Sequence, residues 1–149
     1  KKADNKLQEI GYLKYCSKCL HRKTSRDNFT ELCVCGEKME VGGPLWLGEL
    51  SLPSFLNTIL NDIENLDYLI GSETEKLIKL VRSEYGFPVG FFDIDKICKL
   101  VGVKSISSNV VMNELSSRGY LVTKVHYNSR GIKVNSEIKE IMKIFQSFK

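Results

Sequence analysis

The sequence predicts an α+β fold in three consecutive parts: a zinc-ribbon-like segment at 13–52, a helical pair at 53–86 and a winged-helix-like module at 87–149. Three observations predict it. Two close cysteine pairs sit in a stretch rich in Gly and charge. Apolar residues then recur at helical spacing from Phe55 to Val81. Last comes a helix, turn, helix and β-hairpin order, which is that of a winged helix. Residues 1–12 read as a tail or linker leading into the first part.

The first part holds Cys16-Ser17-Lys18-Cys19 and Cys33-Val34-Cys35, with thirteen residues between Cys19 and Cys33. Four thiolates in two close pairs can reach the corners of one tetrahedron, the geometry Zn²⁺ prefers, with Zn–S near ~2.3 Å. Gly36 suits the tight turn that aims backbone N–H groups at sulfur. His21, two residues past Cys19, could replace one cysteine as ligand. Disulfides would need an oxidising compartment, and nothing in the sequence points to export. A redox C-x-x-C needs a βαβ setting that 1–50 lacks. A site with four protein ligands is closed and therefore structural. Gly42-Gly43-Pro44 reads as a turn.

In the second part, Pro53 suits a first helical turn. Phe55, Leu56, Ile59, Leu60, Ile63 and Leu66 form one face, and Gly71 closes the helix. Ser72 with Glu75 reads as a capping box. Leu77, Ile78, Leu80 and Val81 are the expected buried face of the second helix, and Gly86 ends it.

In the third part, Asp93 caps a helix with Ile94, Ile97, Cys98 and Val101 inward, and Gly102 ends it. Cys98 is a core residue on this reading. Ser105, Ser107 or Ser108 caps the next helix, with Val110, Val111, Met112 and Leu115, and Gly119 closes it. A strand is expected over 120–127, a turn over Asn128-Ser129-Arg130-Gly131 and a returning strand over 132–134. Ser136 caps a last helix with Ile138, Ile141, Met142, Phe145 and Phe148 on one face. The second helix and hairpin of such a module commonly face nucleic acid. A small α+β unit that binds another domain has the same order.

Charge is unevenly spread. Residues 1–38 carry 9 Lys/Arg against 5 Asp/Glu, residues 39–103 carry 5 against 10, and residues 104–149 carry 8 against 3. Basic segments at both ends suit a phosphate backbone, and equally suit solvated surfaces. No apolar run approaches the ~18 residues of a membrane span. The polar start, without an apolar signal core or an initiator Met, predicts a cytoplasmic fragment of a longer protein. No dinucleotide or phosphate loop, zinc-protease motif or nucleophile elbow is present.

Particular residues then become specific. Ala3-Asp4, Leu7 and Ile10-Gly11-Tyr12 lead into Cys16-x-x-Cys19-x-x-Arg22. Gly43-Pro44-Leu45-Trp46-Leu47-Gly48-Glu49-Leu50 follows, with Phe55 after it, and then His126-Tyr127-Asn128-Ser129-Arg130-Gly131-Ile132-Lys133. In this order, over residues 3–136, the set resembles the C-terminal half of the tRNA (guanine-26-N2)-dimethyltransferases of archaea and eukaryotes. Val134 departs from the pattern, where Thr is common, and Cys33-x-Cys35 is one residue short.

The resemblance implies a longer enzyme, nuclear if eukaryotic, whose N-terminal domain binds S-adenosylmethionine and methylates a guanine amine in tRNA. It implies that 1–12 is the tail of that domain. The rest is expected to be a monomeric tRNA-holding platform with structural Zn²⁺ on Cys16, Cys19, Cys33 and Cys35. The expected RNA contacts are His126, Asn128, Arg130, Lys133 and Lys124 around the hairpin. Arg22 and Lys23, near Lys18 and Arg26, form a second basic surface. Arg130 and Lys133 can pair with phosphates, Asn128 and Ser129 can reach phosphate or 2′-OH groups, and Gly131 would let the backbone approach RNA. Trp46 suits either a core or a base-stacking role. The competing reading is a non-enzymatic zinc-ribbon, winged-helix adaptor that binds DNA or protein.

Overall fold

The computed structural model describes residues 6–65 and 71–149. Leu66, expected on a helix face, and residues 1–5 of the expected tail lie outside the described residues. The chain is α+β and divides into two units, one of 1–48, 97–104 and 136–149, the other of 49–96 and 105–135.

The first unit contains a three-stranded antiparallel sheet in the order β2-β1-β3. Its central strand β1, Ile10–Tyr15, pairs with β2, Arg22–Ser25, and with β3, Glu40–Trp46. Gly11 lies at the irregular point of the β1–β3 register. A Cβ there would come within 2.5 Å of Leu47 Cδ1 and 2.6 Å of Ser25 O, so only glycine fits. The Gly42-Gly43-Pro44 turn expected from sequence is instead part of β3, an edge strand, where a proline disrupts no central ladder.

Lys14 is buried in the middle of β1. Its ammonium lies 2.8 Å from Asp27 and 3.4 Å from Glu31. A buried charge must be paired, and here the pairing ties the central strand to the segment that leads into Cys33. Helix α5, Ile138–Gln146, also belongs to this unit and buries Ile138, Ile141, Ile144 and Phe145. Its N-cap is Glu137, without a side-chain cap, in place of the expected Ser136. Cys98 is buried, as expected of a core residue.

The second unit holds the helix pair α1, Pro53–Asn65, and α2, Ser72–Ser83. Leu56, Leu60 and Ile63 are the buried stripe of α1, while Phe55 stays 63% exposed. No residue of α2 is fully buried, and Leu77 is 44% exposed, against the face expected from its periodicity. The capping box is also absent: Gly71 is the N-cap and Ser72 opens the helix. Helix α3, Ile94–Val101, is capped by Asp93, whose Oδ1 accepts from the Asp95 and Lys96 backbone N–H groups. Of the three serine candidates, Ser107 caps α4, Ser108–Ser117, by accepting from Val110 N.

A second antiparallel sheet has the order β4-β6-β5, with β4 Phe92–Asp93, β5 Val122–Val125 and β6 Asn128–Val134. The expected turn over 128–131 is corrected: the turn falls on His126-Tyr127, and Asn128 to Gly131 are strand. Gly131 explains the shift. It pairs with Asp93, and a Cβ there would lie 2.4 Å from Val125 Cγ2 and 2.8 Å from Phe91 Cδ2. Close packing inside the hairpin, rather than a turn, requires glycine here.

Candidate metal centre and nucleic-acid interface

The β1–β2 connection carries Cys16 and Cys19, and a short turn between Leu32 and Lys38 carries Cys33 and Cys35. Backbone bonds shape both knuckles. Cys16 N donates to His21 O and Leu20 N to Cys16 O, with Leu20 in the left-handed region. Cys33 N donates to Glu37 O, and Gly36, at φ 82°, donates to Cys33 O. Gly36 is in that region because the turn requires it.

The four sulfurs all lie within 4.8 Å of one another, with Cys16–Cys35 at 3.5 Å and Cys19–Cys33 at 3.4 Å. A tetrahedral Zn–S₄ site has sulfurs about 3.8 Å apart, which follows from a ~2.3 Å bond. A disulfide needs ~2.05 Å, and all four cysteines are free. The donor set therefore fits a tetrahedral thiophilic metal. Met39 packs against the cluster and closes it from within. His21 is not one of the grouped ligands; it lines a pocket beside Cys19 and Cys35 with Val34, Ile138, Lys139 and Met142.

The thiols are unequal. Burial pushes Cys19 up to about 12, against the pull of a backbone hydrogen bond at His21. A backbone hydrogen bond from Glu37 draws Cys35 down to about 7. A metal must displace these protons, so its affinity depends on pH.

The basic residues expected to meet RNA fall into two kinds. Arg130 is engaged inside the protein: Nε and Nη2 donate to Asp95 Oδ2 and Oδ1 at 2.8 and 2.6 Å, and further bonds reach Ser105, Ser108 and the Ile106 carbonyl. Beside this arginine, hydrogen bonds from Arg130 and then Ser105 hold the Asp95 carboxyl down at about 2. Lys133 is buried and lies 3.2 Å from Glu84 Oε2. Glu84 Oε1 accepts the His126 backbone N–H at 2.8 Å and sits 2.7 Å from His126 Nδ1. Burial resists ionisation of Glu84, but the bonds from His126 and Lys133 outweigh it and hold its carboxyl below the usual range.

Of the others, Lys23 and His126 are exposed, and Arg22, Lys124 and Asn128 are half-buried, as Arg130 is. Lys23 is exposed and paired with Glu31 at 2.9 Å. The Arg22 guanidinium stands 5.5 Å from the Tyr15 ring centre. Lys124 Nζ donates to Asn109 Oδ1 at 2.8 Å, and Asn128 Oδ1 accepts from Arg130 N. Trp46 is half-buried, with Lys6 Nζ 5.7 Å from its ring centre. Glu84 and the cluster of Lys14, Asp27 and Glu31 do not stand out in the sequence. Glu84 meets His126 across 42 positions, so no local spacing signals it.

Comparison with known proteins adds three findings. Residues 1–146 match the family model "N2,N2-dimethylguanosine tRNA methyltransferase". A tRNA (guanine(26)-N(2))-dimethyltransferase of Methanobrevibacter smithii is 34% identical over 99% of the chain and 39% of its own length. One from Methanothermobacter thermautotrophicus is 31% identical over 97% and 39%. The chain thus spans about two fifths of the relatives it matches. Trm1 from Pyrococcus horikoshii, solved with S-adenosyl-L-methionine, superimposes with a TM-score of 0.74 at 20% identity, over 96% of this chain and 37% of that one.

Proposed function

The chain belongs to the N2,N2-dimethylguanosine tRNA methyltransferase family, and from that premise we propose that it is the tRNA-holding part of an S-adenosylmethionine-dependent tRNA guanine-N2 dimethyltransferase. One observation carries the reading: the family match runs through nearly the whole chain, yet the chain spans only 39% of such relatives. On this reading S-adenosylmethionine and the methyl transfer belong to the remainder of the longer protein. This part holds the tRNA while guanine-26 is exposed for chemistry, because an exocyclic amine inside a stack is out of reach.

Zn²⁺ is the proposed resident metal, held by Cys16, Cys19, Cys33 and Cys35 in a zinc-ribbon arrangement. It would supply no chemistry beyond fixing the two knuckles. The helix–helix–hairpin order of 94–134 supports a winged-helix-like RNA-binding module. Lys23 and Arg22 on β2, and Lys124 with the His126 turn on the hairpin, are the proposed contacts. These polar and basic groups suit backbone recognition of structured RNA. Arg130 and Lys133 serve it indirectly, by fixing the hairpin.

Charge reversal tests the reading. Lys23→Glu with Lys124→Glu should weaken tRNA binding by about tenfold or more and reduce its salt dependence, with circular dichroism unchanged. Unaltered affinity in a folded variant would overturn the assigned surface.

A further inference from the structure

The hairpin turn holds a polar atom that the fold positions but does not use. The His126 ring is anchored through Nδ1, 2.7 Å from Glu84 Oε1, and is only a third exposed. The ring forms a T-shaped pair with Tyr127, with centres 4.8 Å apart and planes at 88°. Tyr127 in turn meets Phe91 edge-on at 5.4 Å, while staying 57% exposed itself. Among the described residues no hydrogen bond reaches Nε2, on the opposite side of the ring.

The protonation pattern follows from the partners. Glu84 is held ionised, so it can only accept, and the proton between it and the ring sits on Nδ1. Lys133, 3.2 Å from the other carboxylate oxygen, already balances the Glu84 charge. In the neutral ring the contact with Glu84 selects the Nδ1–H tautomer and leaves Nε2 as an acceptor. A lone pair recognises a donor. It repels a phosphate oxygen, which can only accept.

We propose that Nε2 of His126 accepts a hydrogen bond from a ribose 2′-hydroxyl, so that the hairpin tip tells RNA from DNA, with Glu84 as the residue that positions the ring. The proposal rests on the tRNA-holding reading and gives it an atomic basis for selectivity. The 2′-OH is the group that distinguishes the two nucleic acids at a single site. Tyr127 contributes an exposed aromatic face beside it, suited to the adjoining sugar or base.

The test compares the affinity of the chain for unmodified tRNA and for the all-deoxy strand of the same sequence, in wild type, His126→Phe and His126→Gln. Phe keeps the ring and its contact with Tyr127 but removes the lone pair, whereas Gln keeps an acceptor. The expected result is that His126→Phe lowers the tRNA-to-deoxy affinity ratio about fivefold, the worth of one hydrogen bond. Deoxy binding should be unchanged, and Gln should restore part of the ratio. Equal weakening of both ligands by Phe would indicate a phosphate contact and overturn the proposal, as would no change in either. Absence of wild-type tRNA binding would instead remove the tRNA-holding reading on which it rests.

Discussion

Arg130 and Asp95 are joined by two charged hydrogen bonds, of 2.8 and 2.6 Å, across 35 residues of sequence. The bond fastens the middle of β6 to the first turn of α3. The same guanidinium reaches Ser105, Ser108 and the Ile106 carbonyl, so it also fixes the connection into α4. The arginine expected as an RNA contact is thus also a fastener between helix and hairpin. This kind of fork–fork pairing depends on the planar guanidinium.

Arg130→Ala should lower the melting temperature by about 3 to 6 °C, with Arg130→Lys recovering little of it. Thermal unfolding followed by circular dichroism measures this. Loss of tRNA binding in an alanine variant that melts like wild type would show that Arg130 contacts RNA directly.

Asp27 and Asp95 both have carboxyls held down at about 2, by the Lys14 hydrogen bond foremost in one case and by Arg130 in the other. Their folded values lie below the ordinary 3.8, so their stabilisation is complete above that pH and is lost as pH falls towards 2. Acid titration of the folded chain should show stability declining between those limits. Asp95→Asn should flatten that part of the profile, and high salt should weaken the effect of the more exposed Asp95 pair.

Lys133→Ala leaves the Glu84 carboxylate buried with only its contacts to the His126 backbone N–H and ring. The expected cost is about 3–5 kcal/mol, because a buried charge loses its partner. Replacing both, as Glu84→Gln with Lys133→Met, should recover most of it in urea unfolding. A Lys133 variant that weakens RNA binding is informative only once its fold has been checked.

The tetrathiolate cluster predicts about one tightly bound zinc per chain, and chelation should unfold the β1–β2–β3 sheet before the rest. Co²⁺ substituted into the site should show the visible absorption of a tetrahedral thiolate complex, and Cys33→Ser should abolish it. Metal content by mass spectrometry and near-ultraviolet circular dichroism after chelation check both. A chain that keeps its sheet signature without metal would contradict a structural role.

Much of this was legible in sequence where a local rule decided the matter. The cysteine spacing was enough to foresee the grouping of Cys16, Cys19, Cys33 and Cys35, and short-range chemistry placed one cap at Asp93 and narrowed the next to Ser105, Ser107 or Ser108, of which Ser107 serves. The rest depended on partners far apart in sequence. Gly131 reads as a turn glycine from its neighbours Asn128 and Ser129, but Val125 and Phe91 leave no room for a Cβ and draw it into the strand. Ser72 and Glu75 match a capping pattern, yet the helix is capped by Gly71. Lys14 occupies a buried strand position that only Asp27 and Glu31 make tolerable. Arg130 and Lys133 carry the charge that suggests RNA, and only the fold shows that they also pair with Asp95 and Glu84.

The most direct test of the tRNA-holding role is a competition experiment. Fluorescent unmodified tRNA bound to the zinc-loaded chain is challenged with unlabelled tRNA or with a DNA duplex of matched charge, at two salt concentrations. The expected result is saturable binding at the higher salt, displaced far more readily by tRNA than by DNA. Equal displacement by both, with affinity collapsing as salt rises, or no binding at all, would contradict it.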